Sequence, residues 1–302
     1  MNESHKGHIF NLLSVLMMAV GPLLSKFGLL EISPAKASVI NIITVILASY
    51  LFGLIHRSKV RFYFEKEILL LALFNAVGVI FLFLSTSLLS PVEIGFIGRF
   101  YTVFAVILSV FILKEKLSKS EVIFISLAIL GAFLFVNKGG TFHSNLLGSF
   151  FAMIYTFFFA LTNIFIKKTM TKERDSNSIL FTNSCITLIF VLLYATVTGD
   201  LFNRNYSFTG VGFIVLSSLF TGFLGTLLLY KALEHLRFSI ANVTRAFSPL
   251  LLAILSFPFF PIEITIQNTL GAVVLVVSIL LLSFGKRNKE KSPDTNHEAT
   301  DS

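Results

Sequence analysis

Charged residues are scarce in this 302-residue sequence. Asp, Glu, Lys and Arg together make up 13% of the chain, whereas hydrophobic residues make up 55%. Soluble domains contain about 25% charged and about 45–50% apolar residues. The mean hydropathy of +0.85 also lies on the apolar side. We therefore interpret the chain as an all-α integral membrane protein without a soluble domain.

Several signatures of enzymes are missing as well. The sequence has no Gly-x-x-x-x-Gly-Lys-Ser/Thr phosphate loop, no Gly-x-Ser-x-Gly motif and no carboxylate pair within an apolar run. Its six histidines show no metal-ligand spacing. We expect a protein that is not an enzyme and that holds no metal or other cofactor; coupling to an ion or a proton is left open.

Cysteine is nearly absent, and basic residues form no continuous domain. The single cysteine, Cys185, excludes an intrachain disulfide. The net charge of +8 comes from short clusters between apolar runs. Such clusters are typical of charge beside a membrane, so no nucleic-acid partner is expected.

Ten apolar runs are long enough to cross a bilayer, which requires about 20 residues. Their approximate limits are 9–29, 34–55, 68–89, 91–113, 120–137, 146–167, 178–198, 209–232, 238–260 and 265–284. The first run lacks a small-residue cleavage site, so we interpret it as a retained helix. Residues 286–302 are polar and predicted to form a disordered cytoplasmic tail.

The distribution of lysine and arginine predicts the orientation. If the N-terminus is cytoplasmic, 18 of the 24 basic residues lie near cytoplasmic ends of the runs and four near the opposite ends. Positive residues accumulate on the cytoplasmic side of membrane proteins. Both termini are therefore expected in the cytoplasm, and the protein in the inner or plasma membrane.

The chain repeats itself at an offset of 141 to 146 residues. The matched pairs are Gly7 and Gly148, Phe10 and Phe151, Ala19 and Ala160, Lys26 and Lys167, Asn41 and Asn183, Arg99 and Arg245, and Thr102 and Ser248. The matches predict two five-helix halves, residues 1–140 and 141–285. Because five is odd, the second half must be inverted relative to the first.

Three segments carry a family resemblance. They are ALTNIFIKK in the sixth run, LKEKLSKSE after the fourth and FPIEITIQNTLGA before the tenth. With the paired halves, they resemble the EamA-type drug/metabolite transporter superfamily over roughly residues 5–285. The resemblance implies a ten-helix secondary transporter whose central cavity is lined by helices of both halves.

Two arginines in the middle of apolar runs mark the expected site. Arg99 lies eight residues after Pro91, about 12 Å along a helix, and Arg245 lies seven residues after Phe238, about 10 Å. Arginine at the centre of a membrane helix costs at least about 2.5–3.5 kcal/mol and normally faces a protein interior or wet cavity. A guanidinium suits a carboxylate or phosphate. The sequence thus predicts a substrate with an anionic group; the alternative is that both arginines are structural.

Further candidates were chosen by their distance from these arginines or by their polarity. Thr102 and Ser248 lie nearly one turn beyond them, and Tyr101, Tyr155 and Asn163 are cavity candidates that alternatively pack or bond a neighbouring helix. Candidates for coupling or gating are Glu93, Lys26, Lys167 and Pro249. The alternatives are stabilisation of a helix start for Glu93, snorkelling for both lysines and an ordinary helix kink for Pro249.

These observations predict a permease that moves a small organic metabolite by alternating access. The expected partners are that small molecule and the lipid bilayer, and a homodimer is left open. One alternative is an exporter of apolar or cationic drugs, favoured by the 35 phenylalanines. Another is a membrane scaffold that transports nothing.

Overall fold

The fold is all-helical over the residues that the computed structural model describes. These are residues 3–89, 91–98, 100–134, 146–170, 174–203, 206–238, 241, 244, 248–259 and 265–285. No β-strand occurs within these ranges. This agrees with the all-α prediction.

The helices follow the apolar runs closely. They are α1 (Glu3–Leu29), α2 (Pro34–Ile55), α3 (Lys66–Leu88), α4 (Pro91–Ile97), α5 (Phe100–Ile112), α6 (Lys119–Leu134), α7 (Leu146–Met170), α8 (Ser176–Val197), α9 (Phe208–Ser217), α10 (Thr226–His235), α11 (Ser248–Ser256) and α12 (Ile266–Gly285). A π-helical segment, Ser218–Gly225, joins α9 to α10, and a 3₁₀ turn, Asp200–Phe202, follows α8.

Helix α8 begins at a local capping signal. The side chain of Asp175 accepts hydrogen bonds from the Ser178 backbone N–H and the Ser178 hydroxyl, both at 2.7 Å. A carboxylate at this position satisfies an N–H group that has no partner within the helix. Helix α2 begins similarly, with Ser33 as its cap and Pro34 in its first turn.

Six helical stretches are long and apolar enough to cross a membrane. They are His5–Leu29, Pro34–Ile55, Lys66–Leu88, Leu146–Met170, Ser176–Val197 and Phe208–His235. Large apolar side chains such as Phe111 and Val197 are more than three-quarters exposed on the outer surface of the bundle. In a protein of this composition, such side chains face lipid. The protein is a multi-pass membrane protein.

Two of the predicted runs are not single regular α-helices. In the fourth, α4 ends at Ile97 and α5 begins at Phe100, with Gly98 in a turn whose N–H donates to the Ile94 carbonyl at 2.8 Å. In the eighth, the π-helical segment separates α9 from α10. Segments of π-helix are rare and frequently occur at functional sites.

Each predicted half contributes to the same bundle. Helix α3 packs along α7, and α1 packs along α9, the π-helical segment and α10. Helix α2 packs on α8, α4 on α11, and α6 on α12. A core cluster of buried residues, among them Ile68, Ile164 and Leu229, joins helices of the two halves. A cavity lies between them.

Some predicted features lie outside the described residues. These are Arg99, Arg245, most of the connection after α10 and the tail 286–302. The backbones of Glu93, Thr102 and Pro249 are helical, while their side chains lie outside the described part.

Candidate functional site

The cavity at the centre of the bundle has a volume of about 290 Å³. This is near the lower end of the roughly 300–1,000 Å³ typical of small-molecule sites. Its walls come from α1 to α5 in the first half, and from α7, α8, the π-helical segment, α9, α10 and α11 in the second. The cavity is therefore shared between the halves.

Neutral polar groups interrupt an otherwise apolar wall. The asparagines in the lining are Asn41, Asn75, Asn163 and Asn183, and the tyrosines are Tyr101, Tyr155 and Tyr230. Among the lining residues that the structure describes, none carries a charged side chain. The positive charge predicted for this site would come from Arg99 and Arg245, which lie outside the described residues.

The neighbours of the two arginines in the chain do reach the cavity. Gly98, which directly precedes Arg99, lines it, and so does Ser248, three residues after Arg245. Ser248 begins α11, and α11 packs against α4. The segments next to both arginines thus meet at the cavity wall.

Three of the neutral candidates from the sequence, Tyr101, Tyr155 and Asn163, line the cavity as well. The Asn163 side-chain nitrogen donates to the Tyr101 hydroxyl at 2.6 Å, which joins α7 to α5. Asn163 is 8% exposed, so this hydrogen bond lies in a largely buried environment. The Tyr155 hydroxyl donates to the Ile94 carbonyl at 3.5 Å, a long and therefore weak hydrogen bond.

Sequence reasoning did not select Asn41 and Asn183 for the site, although it matched them to each other in the two halves. Both line the cavity. Asn41 donates to the Ser218 hydroxyl at 2.8 Å, and Asn183 accepts from the Thr187 hydroxyl at 3.4 Å. The repeat match was the signal that could have found them, because a polar residue kept at equivalent positions of two apolar halves is a cavity candidate.

The π-helical segment forms one wall of the cavity through Thr221 and Gly222. The Thr226 hydroxyl donates to the Thr221 carbonyl at 3.0 Å, and the Ser14 hydroxyl of α1 donates to the Gly225 carbonyl at 2.6 Å. The Thr221 hydroxyl is buried, and no hydrogen-bond partner for it occurs among the described residues.

The two lysines at the ends of α1 and α7 lie away from the cavity lining. The ammonium of Lys26 donates to the carbonyls of Thr86, Ser87 and Leu89 at 3.0, 3.2 and 2.8 Å. The ammonium of Lys167 donates to the carbonyl of Leu233 and, at 2.8 Å, to that of Leu236. Their charged groups thus contact protein backbone, and both residues are partly exposed.

No group of three or more His, Cys, Asp or Glu side chains that could hold a metal ion occurs within the described ranges. The described lining therefore offers hydrogen bonds and apolar contact to a small molecule.

Comparison with known proteins identifies the family. Residues 5–137 and 146–284 each match the EamA-like transporter family. The chain belongs to this family. The two matched segments together cover most of the chain, one in each of the halves predicted from the repeat.

Two curated relatives are similar over part of the chain. The nucleotide sugar transporter SLC35D2 of Homo sapiens is 32% identical over 153 residues, which cover 49% of this chain and 44% of that protein. The Mus musculus protein of the same name is 31% identical over 151 residues, or 49% of this chain and 45% of that protein. The chain thus spans less than half the length of these relatives.

A protein of known crystal structure shares the fold. It superposes with a TM-score of 0.72 at 12% sequence identity, covering 95% of this chain and 99% of that one. At this identity the likeness concerns the fold alone.

Proposed function

We propose that this protein is a secondary transporter that moves a small organic anion across the cytoplasmic membrane by alternating access. In this proposal its ten membrane spans form two inverted five-helix halves, with both termini in the cytoplasm. The single observation that carries it is the central cavity, whose walls are shared by the two halves and include the chain neighbours of both arginines.

The packing of the helices supports an inverted repeat. When the two halves are exchanged, α1 takes the place of α7, and α9 with α10 takes the place of α3. The α3–α7 contact then corresponds to the contact of α1 with α9 and α10. The contacts of α2 with α8, α4 with α11, and α6 with α12 each map onto themselves. This is the pattern expected of two halves related by a twofold axis, and many transporters with such halves bind substrate where the repeats meet.

The chemistry of the lining supports a substrate that has both an anionic group and neutral hydrogen-bonding groups. The described wall offers neutral amides and hydroxyls beside apolar surface. Arg99 and Arg245 would add two permanent positive charges. The nucleotide sugar relatives point the same way, because a nucleotide sugar combines anionic phosphates with neutral hydroxyls. We therefore infer an anionic metabolite with further hydrogen-bonding groups.

A metabolite comparison tests this function. Cells that overproduce the wild type are compared with cells that overproduce an Arg99→Gln, Arg245→Gln double variant at matched membrane levels. An Arg57→Gln, Lys59→Gln variant is the control, because it loses the same charge from two exposed loop residues. Intracellular and extracellular metabolites are measured by mass spectrometry.

We expect one or a few anionic metabolites to redistribute with the wild type and the control, and to stay unchanged with the double variant. Equal redistribution by all three proteins would contradict the role of the arginines. If no metabolite redistributes with the wild type, a scaffold without transport activity becomes the better hypothesis.

The neutral, largely apolar lining of the described cavity also favours a second function, the export of apolar or cationic drugs. Two arginines in the cavity would repel cations, so we rank it below the first. A drug-susceptibility panel on cells with and without the gene separates the two. Resistance that survives the double arginine change would support drug export.

A further inference from the structure

Lys26 satisfies the carboxyl end of a neighbouring helix. Its ammonium donates to the carbonyls of Thr86, Ser87 and Leu89, where α3 ends. The last carbonyls of a helix have no partner within the helix. A cation also interacts favourably with the negative end of the helix dipole.

Lys167 makes the same arrangement in the other half. Its ammonium donates to the carbonyls of Leu233 and Leu236, where α10 ends. Lys26 lies in the last turn of α1 and Lys167 in the last turn of α7, which are the first helices of the two halves. The acceptors of each lysine include two carbonyls three residues apart, near the end of α3 in the first half and near the end of α10 in the second.

A glycine from the opposite half packs against each of these helix ends. A Cβ on Gly148 would lie 2.9 Å from the Leu89 side chain and 3.0 Å from that of Leu88. A Cβ on Gly7 would lie 2.8 Å from the Leu236 side chain. Only a residue without a side chain permits this approach at either end. Since Gly7 and Gly148 are also matched in the repeat, the two ends are built from the same parts.

Each of these helix ends precedes, in the chain, residues that line the cavity. After Leu89 the chain enters α4, where Ile94 lines the cavity, and Gly98 in the following turn lines it as well. After Leu236 the chain leads through Arg245 to Ser248, which lines it as well. The lysine contacts therefore lie where the chain leaves α3 and α10 toward these lining residues.

We propose that Lys26 and Lys167 are paired positioning residues of the transport site, an inference that rests on the proposed function. Each holds the carboxyl end of one helix and thereby the start of the segment that leads to described lining residues, Ile94 after α3 and Ser248 after α10. Neither lysine contacts the substrate in this proposal. Both act through the backbone of α3 or α10.

Lys36 provides a matched control. Its residue is 3% exposed, and its ammonium donates to the Asn203 carbonyl at 2.8 Å. It is thus a third lysine bound to a backbone carbonyl. The acceptor, however, lies in the loop before α9, which is not close in the chain to Arg99 or Arg245.

The test compares Lys26→Gln, Lys167→Gln and Lys36→Gln by transport kinetics and by thermal unfolding in detergent. We expect all three to unfold at lower temperature, because each loses a charged hydrogen bond to a carbonyl. Only Lys26→Gln and Lys167→Gln should raise the KM for the transported anion, by about tenfold. Lys26→Arg and Lys167→Arg should keep the KM close to that of the wild type, since arginine also donates to carbonyls.

A labelling experiment tests the positioning without any substrate. Ser248→Cys in a Cys185→Ala background places a single thiol at the cavity, and its reaction rate with a small maleimide reports its accessibility. Lys167→Gln should change this rate at least about threefold, whereas Lys36→Gln should leave it unchanged.

The outcomes distinguish the positioning role of the lysines from the proposed transport function. Transport by the wild type, with unchanged KM and labelling rate in the lysine variants, would overturn the positioning role and leave the proposed function intact. A wild type that transports no anion would refute the proposed function, and the labelling rate would still decide whether Lys167 positions Ser248.

Discussion

The hydrogen bond between Asn163 and Tyr101 yields a prediction about how the cavity wall is held. It joins α7 of one half to α5 of the other, with a donor–acceptor distance of 2.6 Å. Both partners are neutral, and Asn163 is largely buried. A neutral hydrogen bond within a protein contributes about 0.5–1.5 kcal/mol net. The Asn163→Leu, Tyr101→Phe double-mutant cycle should therefore give a coupling energy in this range.

Unfolding can be followed at a single native reporter. The chain has no tryptophan, and its one cysteine, Cys185, is partly buried within α8. A dye that fluoresces after reaction with a thiol will report when Cys185 becomes accessible on unfolding in detergent. Each single variant should unfold more readily than the wild type, and the double variant should cost less than the sum of the two.

Tyr155 gives the matched control for this cycle. It is a cavity tyrosine on α7, but among the described residues its hydroxyl makes the long 3.5 Å hydrogen bond to the Ile94 carbonyl and no other. Asn163→Leu and Tyr155→Phe should therefore be additive within about 0.3–0.5 kcal/mol. The role of the hydrogen bond is contradicted if the Asn163 and Tyr101 variants are additive. It is also contradicted if the Asn163 and Tyr155 variants show an equally large coupling energy.

The same variants separate wall support from substrate contact. If Asn163 also binds substrate, Asn163→Leu should raise the KM for the transported anion more than Tyr101→Phe does. Losing one neutral hydrogen bond predicts an increase of about two- to twelvefold. An unchanged KM in both variants, with the stability coupling still present, would assign the pair to structure alone.

Two further predictions concern the ends of helices. Asp175→Ala should destabilise the protein by about 0.5–2 kcal/mol because it removes the cap of α8 at Ser178, and Asp175→Asn should retain most of that stability in the same thiol assay; an unaltered transition in Asp175→Ala would contradict the role of the cap. Arg237 bonds Glu121 at 2.8 Å and the Lys116 carbonyl at 2.7 Å, with its side chain 30% exposed. Arg237→Gln should cost about 1 kcal/mol, less in high salt, and a loss that is independent of salt would show that the ion pair contributes little.

The limits of the long helices were predictable because hydrophobic length alone determines them. The run predicted at 34–55 coincides with α2, and that at 146–167 with the first 22 residues of α7. A bilayer requires a minimum apolar length, and proline or polar residues end each run. The regular interior of these helices needed no knowledge of tertiary contacts.

The π-helical segment was not predictable from the sequence in the same way. The π-helical segment has an apolar sequence, SLFTGFLG, without proline or charge. Its contacts with α1 include the hydrogen bond from the Ser14 hydroxyl to the Gly225 carbonyl. Those partners lie 211 residues apart in the chain, so no local pattern reveals them.

The neutral candidates at the site were found in part, and for a physical reason. A polar residue inside an apolar run must face protein or a cavity, which indicated Asn163 and Tyr101, and the position one turn beyond Arg245 indicated Ser248. All three line the cavity. The same rule applies to Asn41 and Asn183, and combining it with the repeat would have placed them in the site. The charged candidates Arg99 and Arg245 remain predictions.

The two lysines show why a residue's role can require the structure even when its position is conspicuous. A lysine near the end of a membrane helix reaches water by snorkelling at little cost, so sequence alone favours that interpretation. Here the cation instead satisfies carbonyls about 60 or more residues away along the chain. The same contact occurs at the ends of α3 and α10, beside a glycine from the other half in each case. A contact made twice in equivalent places requires that both halves keep the same backbone geometry at these helix ends.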